Sequence, residues 1–129
     1  MYSSVHYPGD YGFIPCTLGE DGDPIDVLIL VSEHSFPGCL IEVRPVGLLD
    51  MLDEGAADEK LLAVATGNPH FADVRDYSGI YPHVLREIEN FFAIYKELEG
   101  ASTEVTGWRD ALEALTYIEA SRKRFLEHR

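Results

Sequence analysis

The chain has 129 residues, 46% of them hydrophobic and 26% charged, a composition that fits one globular domain and argues against disorder or low complexity. Its longest aliphatic run, Val27 to Val31, is far short of the ~20 residues a bilayer span requires, so no transmembrane helix and no membrane partner are expected. There are 23 Asp and Glu against 10 Lys and Arg, a formal net charge of −13; such a surface repels phosphate backbones and excludes nonspecific nucleic-acid binding.

The acidity is uneven. Residues 1–59 carry 12 acids and one base, Arg44, whereas residues 60–129 carry 11 acids and 9 bases. The acidic half is either a solvated face or a store of hard oxygen ligands for divalent cations. Cys16 and Cys39 stand in no CxxC arrangement, so they suit neither a disulfide framework nor a zinc site. They are expected as reduced, semi-buried residues of a cytoplasmic protein. The first residues lack the basic segment and apolar stretch of a signal peptide.

In chain order, Gly12-Phe13-Ile14-Pro15 reads as a short extended segment closed by proline. Ile25 to Val31 is a buried strand, too short and too β-branched for a helix. Leu40 to Leu49 reads as a long strand in which Pro45 and Gly47 mark a bulge or an edge, and Lys60 to Thr66 as another. Turn chemistry at Gly9-Asp10, Gly19 to Pro24 and Pro37-Gly38 separates these runs. The period then changes. Val84, Leu85, Ile88, Phe91, Phe92, Tyr95 and Leu98 recur at helical spacing, with Pro82 suited to the first turn and Gly100 to the stop. A second helix is expected from about Trp108 to Glu127, with Leu112, Leu115, Ile118 and Leu126 inward and the basic Arg122-Lys123-Arg124 cluster in its last turns, where the helix dipole favours cations. The expected architecture is a single α+β domain over residues 1–129, a small β-barrel with two C-terminal helices packed on it.

The sharpest motif is Asp21-Gly22-Asp23-Pro24-Ile25-Asp26. Three carboxylates in six residues repel one another unless positive charge sits among them, and Gly22 and Pro24 shape a tight, stiff loop. An EF-hand is excluded because Pro24 and Ile25 break its alternation and its twelfth position is Ser32. A second acidic loop, Asp50 to Lys60, supplies Asp53 and Asp58. Two separated Asp loops at strand ends are how Mg²⁺ is commonly held, with water and substrate phosphate completing the octahedron. Lys60 reads either as a phosphate partner or as a surface ion pair worth under about 1 kcal/mol. Tyr7 and Tyr11 lie four apart in a glycine-flanked loop. Tyr95 falls on the helical apolar stripe, as a core tyrosine or as a ligand, with Lys96 beside it.

Together Tyr7-Pro-Gly-x-Tyr11-Gly-Phe, Asp21-Gly-Asp23-Pro-Ile-Asp26-Val, Arg44-Pro-Val-Gly, Asp53-Glu54-x₃-Asp58-x-Lys60 and Phe91-Phe92-x₂-Tyr95-Lys96 resemble family I soluble inorganic pyrophosphatase, in order along essentially the whole chain. The resemblance implies an oligonucleotide-binding-type barrel flanked by helices. It implies Mg²⁺-dependent hydrolysis of inorganic diphosphate, with several Mg²⁺ ions and Mn²⁺ as a substitute, and a homo-oligomer, a hexamer in bacterial members. It carries Asp21, Asp26, Asp53 and Asp58 over as Mg²⁺ ligands, Asp26 bridging two ions, and Asp23 as the acceptor of the water proton. Tyr11, Lys60, Tyr95 and Lys96 correspond to groups that hold phosphoryl oxygens, and Tyr7 and Glu54 to positions lining the pocket. The metals would invert the repulsion between an acidic site and an anionic substrate, leaving positioning and charge stabilisation to the lysines and tyrosines.

Members of the family normally carry several dozen residues ahead of the Tyr-Pro-Gly block, where only Met1 to His6 stand here. The alternatives to efficient hydrolysis are therefore an impaired homologue or a fragment that binds Mg²⁺ and phosphate without efficient turnover. Hydrolysis of nucleoside triphosphates is a further rival, disfavoured by the lack of a Gly-rich P-loop pattern.

Overall fold

The computed structural model describes residues 9–19, 22–31, 40–100 and 102–128. Six strands form one mixed sheet: β1 (Asp10–Ile14), β2 (Ile25–Leu30), β3 (Val43–Asp53), β4 (Ala56–Ala57), β5 (Lys60–Ala65) and β6 (Thr103–Arg109). Two helices, α1 (Pro82–Leu98) and α2 (Ala111–Glu127), complete it. The class is the expected α+β, a bulged sheet of the oligonucleotide-binding barrel type with two helices packed on it.

β3 is the spine. Its 11 residues pair antiparallel with β4 and β5 along one side and with β6 along the other. The ladder slips between Pro45 and Gly47 and again between Asp50 and Met51; proline lacks a ladder donor, and a bulge accommodates it while bending the strand. β5 runs parallel to β2, and β1 closes on β2 in antiparallel register. Between β3 and β4 the chain reverses in two residues, Glu54 and Gly55, both at positive φ (54° and 83°). That is the combination a tight hairpin needs to match strand twist.

Each face of the sheet buries one helix. Leu28, Leu30, Val46, Leu49, Met51, Leu62 and Val64 pack with Ile88, Phe91 and Phe92 of α1. Ile25, Val27, Ile29, Leu48, Leu61 and Ala63 pack with Ala114 of α2, and with half-buried Tyr117 and Ile118. Period-two alternation along β2 and β5 divides their residues between the two cores.

Several expectations need correction. Residues 103–109, partly assigned to a helix or left without structure, form β6, and Trp108 lies in it; α2 begins after Asp110, whose carboxylate accepts from the Glu113 N–H at 2.9 Å, a regular N-cap. The inward face of α2 is Ala114 and Ser121, both 0% exposed, whereas Leu112, Leu115 and Leu126 are exposed. Small residues let the helix approach the sheet closely, and the leucine stripe faces outward. β3 spans Val43–Asp53 rather than Leu40–Leu49, and Leu40 is exposed. Cys16 is exposed, at φ 59°, not semi-buried; Cys39 lies outside the described residues.

Candidate functional site

The site grows out of the α1-facing core. Residues two apart on a strand share a face, so Leu30 and Leu28 on β2 lead to Asp26, Val64 and Leu62 on β5 lead to Lys60, and Leu49 and Met51 on β3 lead to Asp53. Because β2 and β5 are parallel and β3 is antiparallel to β5, all three apolar stripes end in a charged residue at the same edge of the sheet. Tyr11, paired with Leu28 across β1 and β2, reaches the same place. Asp58, whose N–H donates to the Met51 carbonyl at 2.9 Å, arrives from the connection between β4 and β5. Lys96 and Tyr95 come from the last turns of α1.

Two ammonium groups interleave with the carboxylates. Lys60 Nζ, on a residue only 4% exposed, donates to Asp26 Oδ2 at 3.1 Å and to Tyr11 Oη at 3.3 Å, and lies 3.3 Å from Asp58 Oδ1. Lys96 Nζ donates to Asp53 Oδ2 at 3.1 Å and lies 3.8 Å from Asp58 Oδ2 and 3.9 Å from Glu99 Oε1. Asp58 is thus shared by both cations. Burial pulls Lys60 down, but Tyr11, Asp58 and Asp26 outweigh it and hold the ammonium above its ordinary pKa. For Lys96 burial is again the largest influence, overcome by Asp53 and Asp58 against the opposing charge of Lys60. Burial pushes the Tyr11 phenol up to about 12, against the pull of Lys60. At neutral pH the site therefore presents two ammonium ions and a neutral phenol.

Both ammonium groups, Asp26 and Tyr11 border a cavity of about 200 Å³, lined also by Phe91, Phe92, Tyr95 and Glu99, and Asp53 and Asp58 reach it through their ion pairs with the lysines. Phe92 packs against Tyr11 with ring centroids 5.9 Å apart, and Phe91 against Tyr95 at 5.9 Å. The cavity has an apolar back wall and a charged rim, a form that orders an anionic ligand by its oxygens.

Of the residues singled out in the sequence, Tyr11, Asp26, Asp53, Asp58, Lys60, Tyr95 and Lys96 converge here. Asp23 is exposed on the turn before β2, its carbonyl accepting from the Gly19 N–H at 2.7 Å. Glu54, expected to line the pocket, is not among the residues bordering this cavity; its carboxylate accepts from the Ser102 N–H at 2.9 Å, because the hairpin turns it toward the start of β6. Tyr7 and Asp21 lie outside the described residues. Phe91, Phe92 and Glu99 were not expected at the site. The aromatic pair reads from sequence as helix core, and Glu99, one residue past α1, carries no periodic signal.

Among the described residues no three His, Cys, Asp or Glu side chains lie close enough to hold an ion as they stand. The two ammonium groups occupy the space between Asp26, Asp53 and Asp58. One atom nevertheless points to a cation: Asp58 Oδ2 is buried without a hydrogen bond, a costly state for a carboxylate oxygen that a hard cation relieves. Clustered Asp oxygens with no His or Cys are a donor set of hard-cation type.

A family model described as inorganic pyrophosphatase matches residues 1–126. The inorganic pyrophosphatase of Nostoc sp. is 46% identical over 125 residues, covering 97% of this chain and 74% of that protein. That of Methanosarcina mazei is 43% identical over 129 residues, covering 100% and 76%. Among solved structures, the inorganic pyrophosphatase from Thermus thermophilus superposes with a TM-score of 0.88 at 44% identity, covering 93% of this chain and 71% of the other. The one from Helicobacter pylori gives 0.90 at 37%, covering 97% and 75%.

Proposed function

The chain belongs to the inorganic pyrophosphatase family and is a hydrolase of inorganic diphosphate, and on that footing we propose that it works with Mg²⁺ held by Asp21, Asp26, Asp53 and Asp58. When bound there, the metal supplies charge neutralisation and lowers the pKa of coordinated water. Mn²⁺ fits the same oxygen donors. The observation that carries the reading is the interleaving of Lys60 and Lys96 with Asp26, Asp53 and Asp58, beside a cavity that Lys60, Lys96 and Asp26 line. Cations in an otherwise acidic region are what a small polyanion needs, and carboxylates beside them are what its counter-ions need.

In this reading Asp23 accepts the proton of the attacking water, whose oxygen adds to one phosphorus as the bridging P–O bond breaks; two orthophosphates leave. Lys60 and Lys96 turn their ammonium groups from the carboxylates to the phosphoryl oxygens and stabilise the charge that builds on the leaving phosphate. Tyr11 and Tyr95 donate phenolic hydrogen bonds that orient those oxygens, and the raised Tyr11 pKa keeps its proton in place across the physiological range. Phe91 and Phe92 keep the back wall dry, which strengthens each of these interactions. Tyr7 is proposed as a pocket-lining residue on the family resemblance alone, and Glu54 holds the start of β6 through its bond from the Ser102 N–H.

The protein acts as a single domain over residues 1–129, in the cytoplasm, as a homo-oligomer of hexameric form. Among the described residues no helix is long and apolar enough to cross a membrane. The test is release of orthophosphate from pyrophosphate with and without Mg²⁺. Turnover should require the metal, exceed turnover of ATP, and fall by at least about a hundredfold in Asp23→Asn and Asp26→Asn. Metal and phosphate binding without such release would leave the noncatalytic reading in its place.

A further inference from the structure

The basic cluster at the end of α2 divides into two different functions. Arg122 pairs with Glu119 on the helix surface at 3.0 Å, both exposed. Arg124, half-buried, turns inward instead: its Nη1 donates to the Leu18 carbonyl at 2.6 Å, across 106 residues of sequence. The Leu18 N–H in turn donates to the Ser121 carbonyl of α2 at 3.0 Å. Both polar groups of one peptide residue are thus held by one turn of the C-terminal helix.

Leu18 is the entry to the acidic loop. The next residue, Gly19, donates its N–H to the Asp23 carbonyl at 2.7 Å and accepts from the Gly22 N–H at 3.1 Å, closing a small backbone ring. Thr17, 2% exposed, anchors the other side: its hydroxyl donates to the Ile14 carbonyl at 2.6 Å and accepts from the Ile25 N–H at 3.1 Å. The ring carrying Asp23 and leading to Asp26 therefore has two supports. One is Thr17, within the β1–β2 connection, and the other is α2. We infer that Arg124 is a positioning residue for the metal-binding loop, acting through the Leu18 backbone on the placing of Asp23 and Asp26. The physical reason is that a guanidinium–carbonyl bond is charge-assisted and stronger than a neutral one, and it fixes a backbone that no strand pairing holds. Groups that orient ligands from behind commonly change metal affinity 10–100-fold when lost.

The inference rests on the metal-dependent reading above, and its test separates the two. Arg124→Met keeps the alkyl stem and removes the donor; Arg124→Lys restores a cationic donor; Arg122→Met is the control on the same helix. Mg²⁺ alone is titrated calorimetrically into each protein without pyrophosphate, and kcat and KM are measured separately. Arg124→Met should retain its helical circular dichroism, bind Mg²⁺ at least about tenfold more weakly, and lose kcat more than KM at saturating metal. Arg124→Lys should recover part of the loss, and Arg122→Met should match the parent. An unchanged Mg²⁺ constant in a folded Arg124→Met overturns the inference. Loss of the fold in both Arg124 variants overturns it too, because Arg124 would then support the whole domain rather than the loop. Failure of the parent protein to release orthophosphate with Mg²⁺ would instead sink the catalytic reading, and the binding constants would still judge Arg124.

Discussion

Asp26 and Lys60 stand side by side at the edge of the sheet, 3.1 Å apart, one step before the Val27–Leu61 register pair of the parallel strands β2 and β5. Each is the charged terminus of a stripe that is otherwise apolar, and neither could be moved by one position without turning to the opposite face. The register that builds the core therefore also sets the site.

Removing the buried ammonium tests that coupling. Lys60→Met should lower turnover of pyrophosphate by at least about a hundredfold, the scale of one lost electrostatic donor. Without metal it should also lose about 1–3 kcal/mol of stability, because the part-buried Asp58 is left with one cation fewer. Mg²⁺ should recover much of that stability. Steady-state phosphate release and thermal unfolding, each with and without Mg²⁺, check the two halves.

Metal removal gives an independent reading. A ligand that binds only the folded state stabilises by about 2.7 kcal/mol at a hundred times its Kd, so chelation should lower the Tm of the parent protein. Asp58→Asn keeps the shape of the side chain while neutralising the buried Oδ2. It should shrink the Mg²⁺-dependent rise in Tm and leave the metal-free Tm close to that of the parent, since like charge is relieved as an ion-pair partner is lost. A full Mg²⁺ response in this variant would remove Asp58 from the metal ligands.

Acid stability should depend on Asp76, remote from the cavity. Slight burial raises its pKa, but the Ser78 hydroxyl and N–H, the Ala111 N–H and the Tyr77 N–H together bring it below its ordinary value of 3.8. A folded pKa below the unfolded one gives stability that is complete above the unfolded value and is lost as pH falls through the folded one. Asp76→Ala should therefore cost about 1 kcal/mol at neutral pH, as for a lost helix cap. The gap between parent and variant should close below about pH 4. Urea unfolding across that range measures it.

Gly47 tests the packing behind β3. A Cβ there would meet the Tyr77 Cβ at 2.9 Å and the Arg109 carbonyl at 3.3 Å, and Tyr77 stacks on Trp108 with centroids 5.7 Å apart. Gly47→Ala should destabilise by about 1–3 kcal/mol and change the fluorescence of Trp108, the single tryptophan, while leaving the metal response intact. An unchanged emission spectrum and Tm would show that Tyr77 gives way freely.

Helix α2 shows why some elements were hidden. Its sequence offers two overlapping stripes, Leu112-Leu115-Leu126 and Ala114-Ile118-Ser121, and helical period alone favours the larger residues. The narrow space against the sheet selects the smaller ones. Strand β6 was legible in principle, in the β-branched Thr103, Val105 and Thr106, the first two of them on one face, but the pull of Trp108 toward an apolar helical face obscured it. Glu54 carries no mark of its bond to Ser102, which exists only because the hairpin and the start of β6 meet.

What the amino-acid order settled alone is local: the buried strands, α1 with its proline start and glycine stop, and the crowding of carboxylates that demands counter-charge. Periodicity and Coulomb repulsion act between near neighbours, so they can be read along the chain. Pairing each aspartate with its lysine, choosing the inward face of α2 and tying Arg124 to Leu18 were left to tertiary structure. Those contacts join residues tens of positions apart, and only strand register and packing bring them within bonding distance.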